Sequence, residues 1–280
     1  MLIAQITDPH LRAEGTRLFG VVDTYGALKR AIDHLNASDM IPDAVIVSGD
    51  LVHDGEAEDY AALTGLLQQL SAPVFAVPGN HDRREFTRKA LAFTGVVPDA
   101  GPIRFAADAG PVRLIGLDSL IENQPHGHLG GEQLAWLDDQ LAANPDSPTL
   151  VFVHHPPFAT GIGFMDAIRL DDSDALAAII GKHGHVGLIA CGHVHRMIVS
   201  RLGAVPVVIG PGVAHHVVFD LAADAPSRWI LEPPAYLLHQ WSAETGFVTH
   251  QVFVGDYGAA TPFSKHHPRI GTQQQSTNSS

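Results

Sequence analysis

The stretch APVFAVPGNHD, residues 72–82, sets an apolar run directly before a glycine, a neutral amide, an imidazole and a carboxylate. The run is short, rich in valine and phenylalanine and bounded by prolines, which predicts a buried strand. In open α/β sheets ligands bind past the carboxyl ends of strands, so the other apolar runs invite the same question. LIAQIT (2–7) leads into Asp8 and His10, and DAVIVS (43–48) into Gly49 and Asp50. TLVFV (149–153) leads into His154 and His155, and VGLIA (186–190) into Cys191, Gly192, His193 and His195. With Asn80, His81 and Asp82, five strand ends carry Asp, His or Asn and little else that is charged. RLIGLD (113–118) reads as a further strand.

Between the runs, TYGALKRAIDHLNA (24–37), EDYAALTGLLQQL (58–70) and GEQLAWLDDQLAA (131–143) repeat apolar residues every three or four positions. That spacing predicts helices. Strands alternating with helices predict an α/β chain with a largely buried sheet. After about residue 196 the pattern turns to strand after strand: RMIVSRL, VPVVIG, HHVVFDL, WILEPPAYLLHQW and GFVTHQVFV. Residues 1–220 are expected to form the catalytic unit. Residues 221–265 are expected to form a β-rich extension serving as a cap or subunit interface, and 266–280 a disordered polar tail.

The donor spacing suits metal binding. Asp8 and His10 are two apart, as are His193 and His195, so each pair points to one side of an extended segment. Glycines 49, 79 and 192 precede donors and permit sharp turns and close approach. Mixed carboxylate oxygens and imidazole nitrogens suit Zn, Mn or Fe better than Ca or Mg. Two carboxylates, four imidazoles and one amide exceed one tetrahedral ion. They suffice for two ions sharing a carboxylate, roughly 3.5–4 Å apart.

Composition narrows the partners. Net charge is −13 with 18 His, and no basic patch of the kind a nucleic-acid polymer needs is visible. No apolar run is long enough to span a bilayer. The start MLIAQITDPH shows no basic region leading into an apolar stretch, so no secretory signal is expected. The single cysteine, Cys191, excludes an internal disulfide. A cytoplasmic location is the expectation.

Asp8-x-His10, Gly49-Asp50, Gly79-Asn80-His81-Asp82, His154 and Gly192-His193-Val194-His195 resemble, in order, the five motifs of the calcineurin-like metallophosphoesterase superfamily. The resemblance covers roughly residues 1–200. PHGHLGGEQLAWL (125–137) is similar to the bacterial glycerophosphodiesterases and class III cyclic nucleotide phosphodiesterases. The resemblance implies a four-layer α-β-β-α sandwich of two mixed sheets flanked by helices. It implies two divalent ions (Fe, Mn, Zn or Co), one held by Asp8, His10, Asp50 and His195, the other by Asp50, Asn80, His154 and His193. It implies hydrolysis of a small phosphodiester, a glycerophosphodiester or 3',5'-cyclic nucleotide, by metal-bound hydroxide. His81 would face the phosphate and Asp82 would orient the His81 ring. Asn80 and His126 would join His81 in binding substrate.

Plainer readings stand beside these. His155, next to His154 on a strand end, faces the other way and is expected to pack or hydrogen-bond. His215 and His216 open a strand and read as structural, and Cys191 reads as a core residue. Arg12 and Arg17 either contact substrate or lie in a solvated loop. A phosphomonoesterase of the same fold and a non-catalytic module on it stay open. The H-x-H-x-D-H run of a metallo-β-lactamase is absent. The apolar WILEPPAYLLHQW segment points to burial in a homo-oligomer, with a dimer as its unit.

Overall fold

The computed structural model describes residues 1–262. The expected polar tail, 266–280, lies outside them. Two sheets stack face to face. The first has strand order β13-β12-β1-β2-β3. Its strands are β1 (Leu2–Ile6), β2 (Ala44–Ser48), β3 (Val74–Val77), β12 (Ala235–Ser242) and β13 (Gly246–Phe253). The second has order β4-β5-β6-β7-β9-β8. It comprises β4 (Phe105–Ala109), β5 (Val112–Leu117), β6 (Thr149–Val153), β7 (Val186–Cys191), β8 (Ile198–Leu202) and β9 (Val205–Ile209). A two-residue ladder joins β10 (His216–Val217) to β11 (Trp229–Ile230). Both large sheets are mixed: β1, β2 and β3 run parallel, as do β5, β6, β7 and β9, with antiparallel strands at the edges.

Three apolar layers hold the sandwich. Ile3, Ile46, Phe75, Leu114, Phe152 and Leu237 fill the space between the sheets. On the outer face of the first sheet lie α1 (Thr24–Asn36), α2 (Ala57–Leu67) and α3 (Arg84–Ala90); Leu28, Ile32, Leu63 and Leu66 pack there. The second sheet is covered by α4 (Gly130–Ala142), α5 (Gly163–Asp166) and α6 (Ser173–Ile180), through Leu134, Leu137, Met165 and Leu176. The central strands are apolar on successive residues because both of their faces are buried. The four-layer architecture expected from the sequence is the one observed.

The end of the chain departs from expectation. Tyr236 and Leu237 are fully buried, and β12 pairs with β1 from Leu2↔Gln240 to Gln5↔Leu237. Residues 235–253 therefore complete the first sheet, and a boundary at 220 cuts through it. The part of the expected extension outside this hairpin borders the site instead: β11 carries Trp229 to its mouth. No helix among the described residues is long and apolar enough to cross a membrane.

Candidate metal centre

Loops leaving the carboxyl ends of β1, β2, β3, β6 and β7 converge on one buried point. Asp50 lies at its middle. Its Oδ2 is 3.3 Å from His10 Nε2 on one side and 3.4 Å from His154 Nε2 on the other. On the His10 side, His10 Nε2 faces His195 Nε2 at 3.1 Å, and His195 Nε2 lies 3.4 Å from Asp8 Oδ1. On the His154 side, Asn80 Oδ1 is 3.1 Å from His154 Nε2 and 3.0 Å from His193 Nδ1. The seven side chains named from the sequence thus form two donor groups that meet at Asp50.

Local backbone geometry explains how so many donors fit. Among the described residues, seven non-glycine residues have positive φ, and Asp8, His10, Asp50, His193 and His195 are five of them. Such left-handed residues turn a side chain back toward the strand end, at a cost of about 1 kcal/mol or more each. Two glycines permit the close approach. A Cβ on Gly79 would sit 2.3 Å from both Asp50 N and Asp50 Oδ1, and one on Gly192 would sit 2.2 Å from Thr7 Oγ1.

Surrounding groups orient the donors. His154 Nδ1–H donates to Ser48 O at 2.9 Å and His195 Nδ1–H to His215 O at 3.1 Å, which turns both Nε2 atoms toward the centre. His10 Nδ1 meets His53 Nδ1 at 3.1 Å. Asp8 accepts from Thr7 Oγ1 and the His193 amide, and Asp50 Oδ1 accepts from the His81 amide at 2.9 Å. His155 lies behind the donors, on Ser119 Oγ and Pro125 O, as expected of a packing residue.

Burial sets the protonation. It pushes the Asp8 carboxyl up to about 7, with Asp50 adding to the rise. Burial would raise Asp50 too, but His154, His81 and His10 hold it well below the usual carboxylate range. Asp50 in turn overcomes burial at His154 and lifts that imidazole to about 9. Burial holds His10 and His193 well below 6.5 and takes His195 down to about 3. These three are neutral rings with lone pairs to offer.

Two residues differ from expectation. Asp82 does not orient His81. Its carboxylate accepts from the amides of Leu51, Val52 and Gly79 and from the Tyr60 hydroxyl, stapling the β3 loop to the β2 loop. The tight turn at 79–82 sends the neighbouring side chains apart. His81 is held instead by His53, whose carbonyl accepts from His81 Nδ1–H at 2.8 Å. His126 does not line the cavity; its Nε2 faces Asp171 Oδ2 at 3.4 Å. Of the arginines considered, Arg12 pairs with Asp54 and Asp59, and Arg17 donates to Val21 O. Cys191 is fully buried in the core, as read.

Five of the donors, His10, Asp50, Asn80, His193 and His195, line a cavity of about 350 Å³, with Asp8 and His154 set behind them. His81 lines it, with Nε2 left for a ligand. The walls include His53, Phe19 and Trp229, which the sequence did not single out, and His215, which it read as structural. His53 follows Asp50 in the same loop, and that short spacing was the available signal. His215 and Trp229 reach the cavity only through tertiary packing.

An α-β-β-α sandwich with such a donor set at its strand ends is the framework of a metal-dependent hydrolase. The family model of the calcineurin-like phosphoesterases matches residues 1–197. A relative from Arcobacter nitrofigilis named "Probable glycerophosphodiester phosphodiesterase" is 34% identical over 264 residues, 94% of this chain and 97% of that one. The 3',5'-cyclic adenosine monophosphate phosphodiesterase of Escherichia coli K12 is 30% identical over 194 residues, 69% of each chain. A dimetal phosphatase from Danio rerio shares the fold with a TM-score of 0.59 at 14% identity, covering 91% of this chain and 99% of that one. The chain belongs to the calcineurin-like phosphoesterases.

Proposed function

We propose that the protein hydrolyses small phosphodiesters at a centre of two divalent cations. The observation that carries this reading is the place of Asp50, whose single carboxylate adjoins both donor groups within 3.4 Å. Nitrogen and oxygen donors around a tetrahedral ion at about 2.0–2.1 Å stand roughly 3.3 Å apart. The donor atoms here are spaced 3.0–3.4 Å apart. Once the rings present their lone pairs, donor atoms at that spacing would surround such an ion without rearrangement. The donor set therefore fits the ions. Asp8, His10, Asp50 and His195 would hold one, and Asp50, Asn80, His154 and His193 the other. When bound, they supply charge neutralisation and acidify water.

The remaining work falls to the chain. His81, fixed through Nδ1 by the His53 carbonyl, presents Nε2 to the phosphate. In its protonated form it stabilises charge on the phosphoryl oxygens or protonates the departing alkoxide. A bond forms from water oxygen to phosphorus, and the bond to one alcohol oxygen breaks. The products are a phosphomonoester and a free hydroxyl, on a second molecule or, from a cyclic diester, on the same one. No covalent nucleophile is required. Asp82 and Tyr60 keep the loop carrying Asn80 and His81 in register with Asp50.

Charge favours a diester over a monoester. Among the described residues, Arg228 is the one Lys or Arg lining the cavity, and its guanidinium is paired with Asp220 at 2.7 Å. A singly charged diester needs less cationic support than a dianion. The names of the two relatives support the same class. The complete donor set argues against a non-catalytic module. A homo-oligomer is part of the proposal too, supported by edge strand β13, whose sequence GFVTHQVF carries no Asp, Glu, Lys or Arg. Light scattering after gel filtration tests it.

The decisive experiment reconstitutes the chelator-treated protein with Mn, Fe, Co or Zn. Metal content and turnover of bis(4-nitrophenyl) phosphate and 4-nitrophenyl phosphate are then measured. Two ions per chain and preference for the diester are expected. One ion, or monoester preference, overturns the reading.

A further inference from the structure

We propose that the mouth of the cavity binds a planar aromatic group carried by one alcohol of the diester. This inference rests on the diesterase reading above and narrows its substrate class. A wall of rings leads from the donors to solvent. His195 meets His215 edge-on, with 4.6 Å between centroids, and His215 meets Phe19 edge-on at 5.8 Å. Phe19 then stacks on Trp229 at 5.1 Å, the two planes 16° apart. A phosphate resting on the floor would direct an outward substituent along this wall.

The outer pair is built for contact. Phe19 is 51% exposed and Trp229 39% exposed, although each covers one face of the other. Each therefore keeps apolar ring surface toward water. Phe19 stands at φ 53°, a region that bulky residues rarely occupy, in a turn closed by Leu18 N–H donating to Val22 O. Neither burial nor easy backbone geometry accounts for a phenyl ring there. Across the cavity Phe164, Met165 and Ile168 form a second apolar wall. Among the described residues, the polar lining beyond the donors and the imidazoles is confined to Ser227 and Arg228. The hydroxyls of a glycerol substituent would find few partners, and buried polar groups without partners are unfavourable. A flat ring would stack instead. The cavity, about 350 Å³, falls within the range of small-ligand sites.

The test compares phenyl 4-nitrophenyl phosphate with methyl 4-nitrophenyl phosphate, which share a leaving group and differ in the other alcohol. The readout is the ratio of their kcat/KM values in the metal-loaded wild type, Phe19→Ala, Trp229→Ala and Trp229→Leu. The last variant keeps apolar bulk without the ring and guards against a folding defect. The phenyl-to-methyl ratio is expected to fall about tenfold in the variants, the order of magnitude of one stacking contact. A parallel loss on both diesters, as a merely structural role produces, leaves the ratio unchanged and overturns the inference. Calorimetry with diphenylphosphinate and dimethylphosphinate, which cannot be hydrolysed, gives an independent readout. About tenfold tighter binding of the diphenyl anion is expected, and equal affinity overturns the inference. Turnover of a monoester with neither diester cleaved would instead sink the diesterase reading, and the phosphinate titration would still decide the mouth.

Discussion

Replacing Gly79 with alanine places a methyl group at the most crowded point of the centre. The new Cβ would lie 2.3 Å from Asp50 N, 2.3 Å from Asp50 Oδ1 and 2.8 Å from His154 Cε1. Ordinary contact begins near 3.4 Å, so the β3 loop and Asp50 must separate by about 1 Å. Two of the obstructing atoms belong to a backbone amide and a carboxylate held by the His81 N–H, so neither can swing away freely. A 1 Å displacement of positioned groups costs on the order of 100-fold in rate. Overpacking of this kind costs about 1–3 kcal/mol in stability. Steady-state kinetics on a 4-nitrophenyl diester across a metal titration would measure the first effect and urea unfolding the second. Gly65→Ala is the control: nothing lies within 4 Å of its Cβ position on α2, so activity is expected to hold and stability to rise by about 1 kcal/mol. A Gly79→Ala protein with kcat/KM within about twofold of wild type would refute the packing argument.

Other substitutions probe separate parts of the reading. His81→Ala is expected to lower turnover by roughly 100-fold or more while metal content holds, and undiminished turnover counts against a role for His81 at the phosphate. Asn80→Asp is expected to tighten the second ion by adding charge, so weaker retention against a chelator would reject the assignment. His239 tests acid stability away from the centre. It donates to Gln5 Oε1 and accepts from Thr249 Oγ1, and burial holds its pKa down to about 3. The unfolded chain binds the extra proton below about 6.5, so this stability is full above that pH and is lost as pH falls toward 3. In metal-free protein, wild type should lose about 2–3 kcal/mol more than His239→Gln between about pH 7.5 and 4.5. Equal losses in urea unfolding would remove His239 from the account.

Residues whose role depends on a strand end were legible in the sequence. Six apolar runs located β1, β2, β3, β5, β6 and β7 to within a residue or so, and the donors stand directly after five of them. Residues whose role depends on which way a turn sends them were not. Asp82 follows His81, yet it goes under the β2 loop while His81 lines the cavity. The His53 carbonyl takes the place assigned to Asp82, and no residue pattern marks a carbonyl. His126 shows the limit of a loop likeness, since its partner Asp171 is distant in sequence. β4 escaped notice because FAADA lacks the β-branched residues that signal a strand. Nothing local in AYLLHQWS names β1 as its partner, so the hairpin read as an appendage.

That hairpin has a bearing on when the molecule becomes competent. β1 is an interior strand, and Asp8 and His10 hang from its end, yet one of its two neighbours is β12. The two partners of β1 come from residues 44–48 and 235–242, so its second flank closes only through a contact more than 200 residues apart, and such long-range pairing is slow. Asp8 and His10, carried on the end of β1, are therefore expected to settle late in folding.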